Sequence, residues 1–223
     1  MVGVVIGEVL PYAIGIAVSP IPIIAVILML LAPRARLAGV GFLAGWLVGL
    51  AVALGGLLAI GSATALGDRG SDSGGTALLV AGGLLLVAAA RQWRSRPGPG
   101  EEPSLPAWLR AADAVTPVRA CGFGFVLALN PKNLLLALGA AVTVAQAGLD
   151  DGEGAAVIGG FVLVAGSSVL VPVLAYLAFG DRLREPLARL RVWLQANNAA
   201  VMATLLLVLG VVLVGKGISA LSL

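Results

Sequence analysis

The feature that most constrains this chain is its punctuation: long apolar runs separated by short clusters of arginine. Six runs cover about residues 4–32, 37–62, 76–91, 119–149, 155–180 and 199–221. A bilayer crossing needs roughly 20 apolar residues at ~1.5 Å rise each, so every run predicts one membrane span. The third is short and closed by Arg91. The first and fourth exceed a straight crossing, which predicts irregular helices. Hydrophobic residues make up 60% of the chain and charged ones 11%, against ~25% charged in soluble domains. A soluble domain of this size cannot hide so much apolar surface. The expectation is an all-α membrane protein forming one transmembrane domain over residues 1–223. The N-terminus lacks a basic n-region and its apolar run is too long for an h-region, so no cleavable signal peptide is expected.

The basic residues orient the spans. Arg34 and Arg36 lie between spans 1 and 2. Arg91, Arg94, Arg96, Arg110 and Arg119 lie between spans 3 and 4, and Arg182, Arg184, Arg189 and Arg191 between spans 5 and 6. The alternate loops carry only Arg69, with Asp150, Asp151 and Glu153 near residue 150. A split of 11 against 1 makes the first set cytoplasmic, which places both termini outside a plasma membrane. Two cytoplasmic segments have apolar residues at helical spacing opposite arginines: 104–115, through Leu105, Trp108, Leu109 and Ala112, and 181–195, through Leu183, Leu187, Leu190 and Leu194. Both read as short interfacial helices drawn to anionic lipid. Residues 96–106, rich in Pro, Gly and Glu, read as a flexible linker.

Composition also excludes chemistry. His is absent, so no His-based metal site or general base exists. Cys121 is the only cysteine, which excludes an internal disulfide or CxxC pair. There is no Walker A motif and no cluster of catalytic side chains. The chain is therefore read as a non-enzyme with no cofactor, no metal and no nucleic-acid partner.

The two halves resemble each other. Ser19-Pro20-Ile21-Pro22 in span 1 matches Asn130-Pro131-Lys132-Asn133 in span 4 at an offset of 111. Gly41-Phe42 matches Gly160-Phe161 at 119. Thr76-x-Leu78-Leu79-Val80-x-Gly82 matches Thr204-x-Leu206-Leu207-Val208-x-Gly210 at 128. A three-span unit repeated in one chain must be inverted the second time, as in many secondary transporters whose sites lie where the repeats meet. The predicted architecture is a 3+3 inverted repeat: repeat 1 over about 4–91, a cytoplasmic linker with an interfacial helix over about 92–118, and repeat 2 over about 119–221.

Pro removes a backbone hydrogen bond and clashes with the preceding turn. Ser and Asn are favoured N-caps, and Pro is favoured at the first helical position. Each Pro motif therefore predicts a break near the membrane midplane, where one half-helix ends and another starts. Two half-helix N-termini with partial positive charge, joined by Lys132, make an anion site for phosphate, sulfate or carboxylate. The plainer alternative is that the kinks shape the bundle and Lys132 snorkels to water. Weaker signals are Glu8, Tyr12, Thr143 and Gln146, placed to line an outward path, and Ser167, Ser168 and Tyr176 in span 5. Glu8 lies too far along its helix to pair with Lys132, and Lys216 snorkels near the outer end of span 6. The Gly41, Gly45, Gly49 stripe serves close helix packing, either within the chain or in a homodimer.

Six spans, a Pro-containing break in span 1 and an Asn-Pro-Lys break in span 4 resemble the LysE superfamily of small exporters. Ser-Pro-x-Pro with Asn-Pro-Lys-Asn looks most like its GAP branch, the sulfolipid-addressing protein (Sap) family, linked to moving glycolipids or peptidoglycolipids towards the cell envelope. The resemblance implies that Ser19, Pro20, Pro22, Asn130, Pro131, Lys132 and Asn133 lie at the substrate path. It implies a secondary exporter of an anionic amphiphile, with membrane lipids or a small anionic substrate as partners. Export of an amino acid or other small carboxylate, and a non-transporting accessory role in a lipid-export machine, are the alternatives.

Overall fold

The computed structural model describes residues 2–63, 72–96 and 116–221, and every regular element among them is helical. In chain order these are α1 (Val2–Ala17), α2 (Pro20–Leu31), α3 (Ala35–Ala63), α4 (Asp72–Arg94), α5 (Pro117–Ala128), α6 (Pro131–Ala147), α7 (Asp151–Phe179), a 3-10 turn (Gly180–Leu183) and α8 (Arg184–Leu221). Their starts follow local chemistry. Thr116 caps α5 ahead of Pro117 by accepting from the Arg119 amide. Asp150 caps α7 by accepting from the Glu153 amide at 2.8 Å. Gly148 ends α6 in the left-handed conformation (φ 62°).

Both Pro motifs break their helices. The α1–α2 pair bends by 54° and the α5–α6 pair by 60°. Three helical runs are long and apolar enough to cross a membrane, and the two bent pairs bring the number to five. The run from Asp151 to Leu221 counts once in that number, because α7 passes into α8 through the 3-10 turn alone. Gly180 (φ 59°) supplies the one backbone conformation at that junction that an L side chain resists.

One expectation is corrected here. Residues 181–195 do not form a short helix separate from the last span. After the 3-10 turn, α8 runs unbroken from Arg184 to Leu221. No Pro or Gly lies between Leu187 and Leu209 to stop it. The Asn197 side chain donates to its own helix at Trp193 O (2.8 Å) instead of capping a new one. The expected interfacial helix at 104–115, and all of the 96–106 linker beyond Arg96, lie outside the described residues.

Close backbone approach governs two helix pairs. On α3, a Cβ at Gly41 would overlap the carbonyl of Pro117, one at Gly45 that of Cys121, and one at Gly49 would meet Ala128. The three glycines thus seat α5 within the same chain. On the other side, Gly82 of α4 faces the Gly210 carbonyl of α8, and Gly210 faces the Gly82 carbonyl. Tyr12, Phe42, Trp46, Leu85, Leu136 and Leu213 fill the buried interior. Val80, Leu163, Val171 and Val208 stay more than half exposed. Such an outward apolar surface suits lipid and not water.

Candidate functional site

The break in the first helix pair has a specific hydrogen-bond deficit. Pro20 has no N–H to offer the carbonyl of Ile16. The Ser19 amide bonds Ile16 O instead (3.2 Å), and the Val18 amide bonds Ile14 O (2.9 Å). The Gly15 carbonyl between them is skipped. The Lys132 ammonium, from the first turn of α6, donates to it at 2.9 Å. Within a membrane a freed carbonyl needs such a donor. Lys132 therefore ties one broken helix to the other, and here a positive helix start faces a negative helix end.

The second break is closed by side-chain amides. Asn130 accepts from the Asn133 amide (3.0 Å) and donates to Leu127 O (2.6 Å). Asn133, fully buried, donates to Ala128 O (3.2 Å) and Leu127 O (3.4 Å). These bonds span the kink from both sides. Ser19, Pro20 and Pro22 are buried at the first break, whereas Pro131 is exposed at the second. The Ser19 side chain makes no capping hydrogen bond.

Further along α1 a cavity of about 800 Å³ opens between α1, α4, α6 and α8, lined among others by Glu8, Leu78, Thr143, Gln146, Lys216 and Ser219. Glu8 and Lys216 form an ion pair across it (3.6 Å). The Lys216 ammonium also lies 5.3 Å from the centre of the Tyr12 ring. That ring is fully buried and packs against the backbone at Gly139. Tyr12 lies between Glu8 and Gly15 on α1, and so separates the cavity from the Lys132 tie. Thr143 turns its hydroxyl to Gly139 O (2.9 Å).

Among the residues singled out from sequence, Glu8, Thr143 and Gln146 thus share one cavity, with Tyr12 behind it. The α7 residues go elsewhere. Ser167 bonds its own helix at Val164 O (2.7 Å), Ser168 is half-buried, and Tyr176 reaches Asp181 (3.1 Å) at the arginine-rich end. Sequence reasoning missed three features. The Gly15 acceptor carries no side-chain signal. The Glu8–Lys216 pair was legible, because both residues sit near the outer ends of spans 1 and 6. The third is a cup of about 370 Å³ joining Arg34 and Arg36 to Tyr176, Asp181 and Arg184, from segments some 140 residues apart in sequence.

No curated protein and no solved structure matches this chain. A family model described as Sap, sulfolipid-1-addressing protein, matches residues 9–219. The matched stretch contains both breaks, Lys132 and Lys216, and spans nearly the whole chain: it belongs to the sulfolipid-1-addressing protein family.

Proposed function

We propose that this protein moves an anionic amphiphile across the plasma membrane by alternating access between two inverted three-span repeats. The observation that carries the proposal is the Lys132–Gly15 bond, in which the charged turn of one broken helix holds the broken end of the other. The family name attaches the group to addressing a sulfolipid, a lipid with an anionic headgroup, and the LysE superfamily is its wider setting. In this reading Lys132 exchanges Gly15 O for the headgroup. Ser19, Pro20, Pro22, Asn130, Pro131 and Asn133 shape the path, and Tyr12 closes it beneath the cavity of Glu8, Thr143 and Gln146.

The inverted repeat is supported by residues that the internal match makes equivalent. At an offset of 128, Gly82 corresponds to Gly210 and Leu86 to Val214. Gly82 meets Val214, Gly210 meets Leu86, and the two glycines face each other. At an offset of 119, Leu47 corresponds to Gly166, and these two also touch. A two-fold relation requires such self-paired contacts. Length supports six spans: the 71 residues of the 151–221 run would extend ~107 Å if straight, far more than one bilayer core of ~30 Å. The charged stretch from Asp181 to Arg191 divides that run into two crossings. With the arginine-rich ends inside, the start of α1 and the end of α8 face outward.

A second reading, an accessory subunit of a lipid-export machine, is favoured by one observation: Lys132 already has a protein partner. Purified protein in vesicles carrying a labelled phosphatidylglycerol separates the two. The transporter reading expects label to cross the bilayer, with Lys132→Ala slowing it at least about tenfold, the scale of one lost charge-assisted bond. No crossing by the wild type, or equal rates for both proteins, rejects it in favour of the accessory role.

A further inference from the structure

The cup at the arginine-rich end lies outside both breaks and outside the Glu8–Lys216 cavity. It forms where two helix corners meet. Pro33, Arg34 and the first turn of α3 make one wall, and Tyr176, Asp181 and Arg184 make the other. Asp181 is already engaged: it accepts from Arg184 Nε at 2.8 Å and from the Tyr176 hydroxyl at 3.1 Å. Among the described residues no carboxylate lies within ion-pair distance of Arg34 or Arg36. Three arginines against one carboxylate leave the cup with two uncompensated positive charges. The α3 N-terminus opens into the same space, and its partial positive charge adds to theirs. Guanidinium forks match the geometry of tetrahedral oxyanions.

We infer that this cup binds a phosphate or sulfate group, held by Arg34 and Arg36 with Arg184 oriented beside them by Asp181. The group is the headgroup of an anionic lipid or a free oxyanion; the chemistry of the cup is the same for both. The inference does not depend on transport, since an accessory protein would present the same cup.

The test uses the full chain in neutral detergent, read by native mass spectrometry with added phosphatidylglycerol, phosphatidylcholine or inorganic phosphate. Three proteins are compared: wild type, the double variant Arg34→Gln/Arg36→Gln, and a control, Arg91→Gln/Arg94→Gln, at the exposed end of α4. All changed side chains are exposed, and unchanged thermal midpoints establish that the fold is intact. The expected result is retention of phosphatidylglycerol over phosphatidylcholine, weakened at least about tenfold in Arg34→Gln/Arg36→Gln and unchanged in the control. Displacement of the lipid by inorganic phosphate places the headgroup in the cup. Phosphate binding that needs Arg34 and Arg36, without lipid retention, upholds the site and identifies the free ion as its ligand. Equal weakening in both variants reports diffuse charge attraction and overturns the inference, as does unchanged binding of both probes in Arg34→Gln/Arg36→Gln.

Discussion

The two breaks start from similar sequence, a capping residue followed by proline, yet they are held together differently. At Asn130 the break is self-contained: Asn130 and Asn133 supply donors to Leu127 O and Ala128 O within their own helix pair. At Ser19 the side chain contributes no cap, and the skipped Gly15 carbonyl depends on Lys132 from the other break. One break is bridged by its own side-chain amides, and the other by its partner's lysine. Similar motifs therefore fix where a helix breaks without fixing what holds the break. Under the proposed function the difference also gives Lys132 two competing uses, as the structural donor to Gly15 O and as a ligand for an anion.

Substitutions can break or sharpen this contrast. The largest effect is expected at Asn133, which is buried and serves two carbonyls. Asn133→Leu should cost about 2–4 kcal/mol, because Ala128 O loses its side-chain donor away from water and Leu127 O keeps only that of Asn130. A cost under ~1 kcal/mol, read from unfolding in detergent, would mean that the second break does not rely on its own amides. Next comes Lys132→Met, expected to destabilise by about 1–3 kcal/mol through loss of the donor to Gly15 O. If this variant keeps wild-type stability, the first break is independent and the contrast disappears. The smallest effects form a pair. Asn130→Ala should cost about 1 kcal/mol, as a working cap does, while Ser19→Ala should stay within ~0.5 kcal/mol, as for a side chain without a bond to lose. Equal losses at the two positions would show that the breaks are capped alike.

Much of the fold was legible in the sequence. The apolar runs mark where helices lie, and each Ser-Pro or Asn-Pro motif marks a break, because proline acts on the backbone locally and independently of the rest of the chain. The glycine stripe on α3 announced close packing but not its partner, since a stripe specifies distance and not identity. The passage from residues 181–195 into the last span was misread: amphipathic spacing reports which face meets lipid, not where a helix ends. The site was legible only as a set of residue types. Lys132 stood out because a charge in an apolar run is costly. Its acceptor is a backbone carbonyl 117 residues away, which no side-chain pattern reveals. Arg34 and Arg36 read as ordinary membrane-orienting charges, because their meeting with Asp181 and Arg184 depends on two distant corners coming together.

The unbroken course of α8 has a mechanical side. Lys216 near one end and Arg184 at the other belong to one rod, and Gly210, where α8 presses on α4, lies between them but close to Lys216. At ~1.5 Å per residue the arms measure about 9 Å to Lys216 and about 39 Å to Arg184. Were a rigid rod of those proportions to swing about Gly210, its Arg184 end would travel roughly four times as far as Lys216. A tilt of ~10° moves the short arm by less than ~2 Å and the long arm by nearly ~7 Å. A single helix thereby joins the two ends of the molecule, with the arginine cup far from the Gly210 crossing and the Lys216 end beside it.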